Sequence, residues 1–305
     1  MITELAPPPA RLRRLDASQL EHRLRACPRL PSLGSVNSAL RELLHADQRY
    51  TSQIAEVIRR DPSLTARLLR LVNAVYFGFS TPVNSIEEAV FFLGVRQIRQ
   101  LAMMTPIIED FHKLAGESVF DWRRFWQHCI ATALLTREIA GAFELTGDES
   151  DYVAGLVHDV GKIVMAASFP EHFTAIQEEH AHSQQDLLEV ESRLLGMDHA
   201  ELGALYLQQH RLPDILVESA RWHHLPAGAS RHPQIVAAVQ VADLLSRHAG
   251  IGNSGNAQSV SRESWSQAAG WQILCRDRSE DERSIAEASL VRSVDRLPSL
   301  LEGLV

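Results

Sequence analysis

The residues of this chain that could do chemistry are histidines, aspartates and one lysine set into otherwise apolar text, and the chemistry they suit is metal binding. The centre of the pattern is DYVAGLVHDVGKIVMAA, Asp151 to Ala167, where His158, Asp159 and Lys162 interrupt an apolar run. Val153, Leu156, Val157, Val160, Ile163 and Val164 recur at helical spacing, which predicts one buried helix with Asp148 as its N-cap. An imidazole, a carboxylate and an ammonium in such a helix need partners, because burying even a neutral polar group alone costs roughly 2 to 7 kcal/mol. His158 and Asp159 are adjacent, so on a helix they diverge by about 100° and can grip one cation from two sides. Lys162 lies one turn further along the same face.

The partners must come from other segments. His128 falls on the buried face of a predicted helix, Trp122 to Phe143, with Trp122, Phe125, Leu135 and Ile139. His199 opens a helix capped by Asp198 with Glu201, Trp222-His223-His224 closes another, and Asp243 sits among Val239, Val241, Leu244 and Leu245 in a third. A single helical histidine is more often a surface or satisfied core residue, and 14 histidines in 305 residues produce His-Asp and His-His pairs by chance. The combination is what carries the expectation. His128, His158, Asp159, His199, His223, His224 and Asp243 occupy five successive helical segments. Their donor types suit divalent Fe, Mn, Zn or Ni, and seven of them are enough for two ions with Asp159 as a bridge. For Lys162 two roles stay open: neutralising charge that builds on a phosphate, or a structural ion pair with Asp159 or another carboxylate.

The elements that must position these residues are helical throughout. Ser35 to Ala46 and Ser52 to Arg60 read as helices, Asp61-Pro62 starts a third with Leu64, Leu68, Leu69 and Val72 on its apolar face, and Ser85 with Glu88 forms a capping box for a fourth. A further helix spans about Val95 to Phe111. In the second half, Gln184 to Leu195 ends at Gly196, Leu212-Pro213 opens the helix that ends in the His pair, and Pro233 to His248 carries Asp243. No alternating strand pattern appears, so the fold class is all-α, as two packed helical subdomains. The divisions are a leader and first helix over residues 1–27, an N-terminal helical subdomain over 28–115, a metal-binding helical subdomain over 116–250, and a linker with a helical tail over 251–305. The linker is GIGNSGNAQSVS, flexible by composition, and the tail ends in a helix from Ser284 to Leu301.

Composition narrows the function classes. A net charge of −8, from 38 acidic and 30 basic residues, argues against a nucleic-acid surface. The Arg67, Arg70, Arg96 and Arg99 set reads more simply as solvated helix faces. Three scattered cysteines, Cys27, Cys129 and Cys275, make no disulfide framework and fit a reducing cytoplasm. No apolar run reaches membrane-spanning length and no signal-peptide core is present, so no membrane partner is expected.

His128, then His158-Asp159 with Gly161-Lys162, then His223-His224, then Asp243 resembles the HD superfamily of metal-dependent phosphohydrolases. The text DPSLTARLLRLVNAVYFGFSTPVNSIEEAVFFLGVRQIRQLAM, Asp61 to Met103, and HAELGALYLQQHRLPDILVESARWHH, His199 to His224, are similar to its HDOD branch, the HD-related output domains of bacterial signalling proteins. This resemblance covers about residues 28 to 248. It implies an all-helical output or regulatory module, and many members of that branch lack the HD ligands that this chain keeps. Similarity to the HD-GYP phosphodiesterases, which hydrolyse cyclic di-GMP, implies one ion on His128, His158, Asp159 and Asp243. It implies a second on Asp159, His199, His223 and His224, with Asp159 and Lys162 as the residues of a hydrolytic site. Two departures weigh against that activity: Leu225-Pro226-Ala227-Gly228 stands where the HD-GYP signature would begin, and Arg124 stands where some three-metal members have a glutamate.

Two functions follow. One is a regulatory module for a signalling protein partner or a small phosphorylated ligand, with a structural or ligand-sensing metal centre. The other is a metal-dependent phosphohydrolase of a nucleotide, cyclic nucleotide or other phosphoester.

Overall fold

The computed structural model of the chain describes residues 12–27, 83–85, 88, 120–145, 150–183, 185–256, 258 and 260–301. The helices expected between residues 35 and 111, the Leu64, Leu68, Leu69 and Val72 core and the Asp148 cap lie outside the described residues. Of that half, the described residues include Ser85 and Glu88. The Glu88 N–H donates to Ser85 Oγ at 3.1 Å, but the Glu88 carboxylate reaches one residue beyond the box, accepting from Asn84 N at 3.0 Å.

Among the described residues every regular element is helical, and the fold is all-α. Helix α1 is Ala17–Ala26, started by a capping box between Asp16 and Gln19. The long α2, Trp122–Ala142, is buried on nearly every side, including Phe125, Trp126, His128, Ile130, Ala131 and Ile139. Then follow α3, Ser150–Val157; α4, Val160–Ser168; α5, Pro170–His182; and α6, Leu187–Leu194. Gly196 takes a positive φ of 107° just past α6, as its C′ position requires. Helix α7, His199–Gln209, is capped by Asp198 through Glu201 N, and α8, Asp214–Trp222, leads by a short 3-10 turn, Pro226–Gly228, to α9, Pro233–His248. The chain ends in α10, Arg262–Ser266; α11, Ala269–Leu274; and α12, Glu280–Leu301, four residues longer at its start than the sequence suggests.

Two expectations change. The run around His158 is two helices rather than one, with the break at His158-Asp159 and Asp159 at the N-cap of α4, φ −95° and ψ 14°. The reason is directional: adjacent residues of a continuous helix point apart, whereas this turn sends both side chains into the same buried interior. The segment read as a free linker is held to α2. Asn253 N donates to Arg124 O at 2.8 Å, Arg124 Nη2 donates to Gly252 O at 3.1 Å, and Ile251 and Ser254 are buried.

Packing is organised around α2, against which α3, α9 and α12 lie, while α7 packs on both α4 and α8. The contact of α4 with α7 depends on two glycines. A Cβ on Gly161 would stand 1.8 Å from His199 O, and one on Gly203 would stand 2.9 Å from Gly161 N. The helix carrying Lys162 can therefore approach the start of α7 only because neither position has a side chain. Between α2 and α3, the Arg137 guanidinium donates to the buried Asp151 carboxylate at 2.6 Å.

Candidate metal centre

The side chains converge because five elements end or cross at one place. His128 comes from the middle of α2, His158 and Asp159 from the turn between α3 and α4, His199 from the first turn of α7, His223 and His224 from the end of α8, and Asp243 from α9. Two sets result, Asp159 with His199, His223 and His224, and His128 with His158 and Asp159. In each, the donor atoms lie within 4.8 Å of one another. Asp243 joins the second set, its Oδ1 lying 3.1 Å from His128 Nε2 and 4.0 Å from His158 Nε2. Asp159 divides its oxygens between the two. Oδ2 is 3.5 Å from His158 Nε2, while Oδ1 is 3.1 Å from His199 Nε2 and 3.6 Å from His223 Nε2.

The hydrogen bonds behind the rings decide what faces inward. His158 Nδ1 donates to Gly155 O at 2.7 Å, and His223 Nδ1 donates to Ala220 O at 2.9 Å. A carbonyl can only accept, so each Nδ1 carries a proton and each ring turns its Nε2 toward the centre. His128 Nδ1 pairs with Ser246 Oγ at 3.1 Å. The Nε2 atoms of His128, His158 and His223 and Oδ1 of Asp159 are all buried without a hydrogen-bond partner, even where a carboxylate stands close, because the alignment is wrong for one. Buried ring nitrogens and a carboxylate oxygen left without hydrogen bonds are costly, and a cation between them would satisfy both. The donor set therefore fits a divalent metal, and these His and Asp clusters could bind one.

The electrostatics agree. Burial, with His223 and His128 adding to it, lowers the His158 imidazole to about 3, so it is neutral and able to ligate. Burial opposes ionisation of Asp159, yet the Lys162 ammonium and His158 hold its carboxyl well below the usual range. Burial likewise acts against Asp243, and His128 and Arg247 outweigh it. His224 is lowered by burial and by its neighbours His223 and His199. His199 runs the other way: burial resists its charge, but Glu191 and Asp159 lift it to about 9. His199 Nε2 lies 3.0 Å from His224 Nε2 and 3.1 Å from Asp159 Oδ1, a spacing that a cation among them would suit.

All seven expected ligands are brought together, and Lys162 is bound to the site by Nζ donating to Asp159 Oδ2 at 2.6 Å. Of the two roles left open for Lys162, the ion pair is the one its contacts make. Arg124 faces Gly252 O, so the position of a third-metal glutamate is occupied by a contact to the loop. Sequence reasoning missed Glu191, whose Oε2 accepts from His199 Nδ1 at 2.7 Å and from His199 N at 2.8 Å. Its signal was present: Glu191 shares the buried face of α6 with Leu187 and Val190, a place where a carboxylate needs a reason. It also missed Arg247, one turn after Asp243 and 3.6 Å from its Oδ2. Cys129, next to His128, is a buried thiol raised well above its ordinary value by burial and belongs to neither set.

Comparison with known proteins gives the family. Residues 30–226 match the family model of the HDOD domain. The chain belongs to the HDOD family. This HDOD chain is 26% identical over 236 residues to an uncharacterised protein of Treponema pallidum (strain Nichols), which covers 76% of the chain and 44% of that relative, so the chain spans under half of the relative's length. A solved HDOD domain protein of unknown function from Geobacter sulfurreducens superposes with a TM-score of 0.79 at 21% identity, covering 94% of this chain and 97% of that one. A candidate phosphohydrolase from Shewanella amazonensis SB2B superposes at 0.69 with 23% identity over 94% and 98% of the two chains. A candidate signal transduction protein from Marinobacter aquaeolei VT8 does so at 0.69 with 21% identity over 94% and 65%. At these identities the likeness is one of fold. The residues matched by the HDOD model end before α9, so Asp243 lies outside them. Among the described residues no helix is long and apolar enough to cross a membrane.

Proposed function

We propose that this HDOD chain is a cytoplasmic regulatory module of bacterial signal transduction built around a dinuclear centre of Fe, Mn, Zn or Ni. One ion is held by His128, His158, Asp159 and Asp243, the other by Asp159, His199, His223 and His224. The observation that carries this reading is the convergence of buried ring nitrogens without hydrogen bonds on a shared Asp159 whose two oxygens face different sets. The module passes its state to a signalling protein partner or responds to a small phosphorylated ligand. Elemental analysis of protein reconstituted with each metal tests it: about two ions per chain are expected, and less than about 0.2 would sink the reading, given the affinities of such ligand sets. Asp159→Ala loses more metal than any other single substitution, and a larger loss in His199→Ala would remove the bridge.

The second reading, a phosphohydrolase, is favoured by His224, which is half-buried where its neighbours are closed off and so gives the centre a face toward solvent. Bound divalent ions supply Lewis-acid polarisation of a phosphoryl oxygen and acidification of water. The chain's part is to hold the ligands: Lys162 orients Asp159, and Glu191 fixes the tautomer of His199. The wall beyond His224 is poorly furnished for a cyclic dinucleotide. Leu225 is exposed, Gly228 lies against Trp222, and Arg231, the nearest following cation in sequence, is paired with Asp214. Efficient cyclic di-GMP hydrolysis is therefore not expected. A kcat/KM above about 10⁴ M⁻¹s⁻¹, the low end for ordinary enzymes, that disappears in His158→Ala would put the enzyme reading first.

A further inference from the structure

One side chain of α9, Gln240, links α11 to the centre by hydrogen bonds at both ends of its amide. His224 lies beyond the last residue of α8, so its carbonyl is outside the helical ladder. That carbonyl accepts from Gln240 Nε2 at 2.9 Å. The other end of the same amide, Gln240 Oε1, accepts from Gly270 N at 2.7 Å. The orientation of the amide is fixed by chemistry, since a carbonyl needs the NH₂ end and an N–H needs the oxygen, and a flip would break both bonds.

Gly270 is the second residue of α11, whose N-cap, Ala268, has no side chain able to satisfy the first-turn N–H groups. Gln240 does so from α9. The fit is close, because a Cβ on Gly270 would stand 2.6 Å from Ala237 O and 2.9 Å from Gln240 Oε1. Gln240 is buried, and it lies one turn before Asp243 on the same helix. A single helix thus supplies a ligand to one set, holds the backbone of His224 in the other, and seats α11.

We infer that Gln240 is a positioning residue through which the seating of α11 sets the placement of His224, making α11 a handle on the ion that Asp159, His199, His223 and His224 would hold. This rests on the dinuclear reading above. When α11 is seated, its Gly270 N–H holds Gln240 Oε1, and the amide then presents its NH₂ group to His224. When α11 shifts, Gln240 loses that anchor and His224 its fixed backbone, while the set of His128, His158 and Asp243 keeps its own supports at Ser246 and Gly155.

The test titrates the full chain, stripped with chelator, with cobalt(II) alone, following the ligand-field spectrum and the affinity of each step. Wild type takes up two ions, and His224→Ala identifies the step that belongs to its set. Gln240→Met, which keeps the shape and removes both hydrogen bonds, and Gly270→Ala, which unseats α11, each weaken that step at least about tenfold, the low end for loss of an outer-shell partner, and change its spectrum. The other step stays within about twofold. Leu297→Ala, a truncation in the buried face of α12 away from the relay, leaves both steps unchanged. Wild-type affinity at both steps in Gln240→Met and Gly270→Ala, or equal weakening in Leu297→Ala, overturns the relay while leaving the dinuclear centre intact. Absence of cobalt uptake by wild type overturns both.

Discussion

Glu191 shows how a residue that touches no ion in the proposed scheme can still govern the site. Its Oε2 holds both the ring and the backbone N–H of His199, so it fixes where the imidazole points and which nitrogen carries the proton. A buried carboxylate that accepts two bonds from one residue is a clamp. Glu191→Gln preserves size and one acceptor but removes the charge that makes Nε2 of the ring a stronger donor to a metal, and its NH₂ end is badly matched to two donors. The affinity for one of the two ions is expected to fall about 10- to 100-fold, the range for second partners of metal-bound histidine. Competition against a coloured chelator measures it, and an unchanged affinity would reduce Glu191 to a core ion pair.

At the scale of elements, the approach of α4 to α7 is what lets Asp159 and His199 meet, and that approach runs through Gly161 and Gly203. Gly161→Ala puts a methyl into the His199 carbonyl, backbone against backbone, where no rotamer change gives relief. Urea unfolding is expected to show a loss at or above the 1 to 3 kcal/mol typical of overpacking, together with reduced metal content. Native stability with native metal content would show that the helices can separate without harm. A different element device holds the loop before α9. The Glu218 carboxylate accepts N–H bonds from Ser230, Arg231 and His232, at 3.1, 3.1 and 2.8 Å, and although burial opposes it these bonds lower its pKa. A depressed folded-state value gives stability that is full above the unfolded glutamate range and is lost as pH falls through the folded value. Glu218→Gln should therefore be less stable than wild type at pH 7, with the gap closing under acid. A gap that is constant from neutral pH to below pH 3 would assign the effect to shape rather than charge.

Across the whole molecule, each proposed ion would tie together helices that are far apart in sequence, α2 with the α3–α4 turn and α9, and that turn with α7 and α8. Because such a site exists only when those helices are assembled, ion binding is linked to folding. At a free metal concentration 100 times the dissociation constant, one site adds about 2.7 kcal/mol to the unfolding free energy. Calorimetry with metal and with chelator is expected to separate the two unfolding transitions by several degrees. Coincident transitions would mean that the imidazoles are held by packing alone.

What the sequence determined by itself is local. Asp198 before His199, Gly196 after α6, and Pro233 at the start of α9 are visible because a cap, a positive φ and a proline act on their own few residues. Ligand types were equally legible, since a histidine or aspartate among valines needs a partner wherever the chain goes. Other facts depended on helices meeting. The break at His158-Asp159 was hidden because apolar periodicity runs straight through it, and a turn of two residues leaves no mark on that pattern. Glu191 stands on the apolar face of its helix, but only the placement of α7 supplies its donor, and Gln240 likewise finds its partner only where α11 is seated. The tail offered no visible chemistry for the same reason: its contribution is a backbone N–H, which every residue but proline carries and no sequence displays. The tertiary structure decided these points because a hydrogen bond between helices is set by how closely two axes approach, and here that approach depends on side chains that are absent, at Gly161, Gly203 and Gly270.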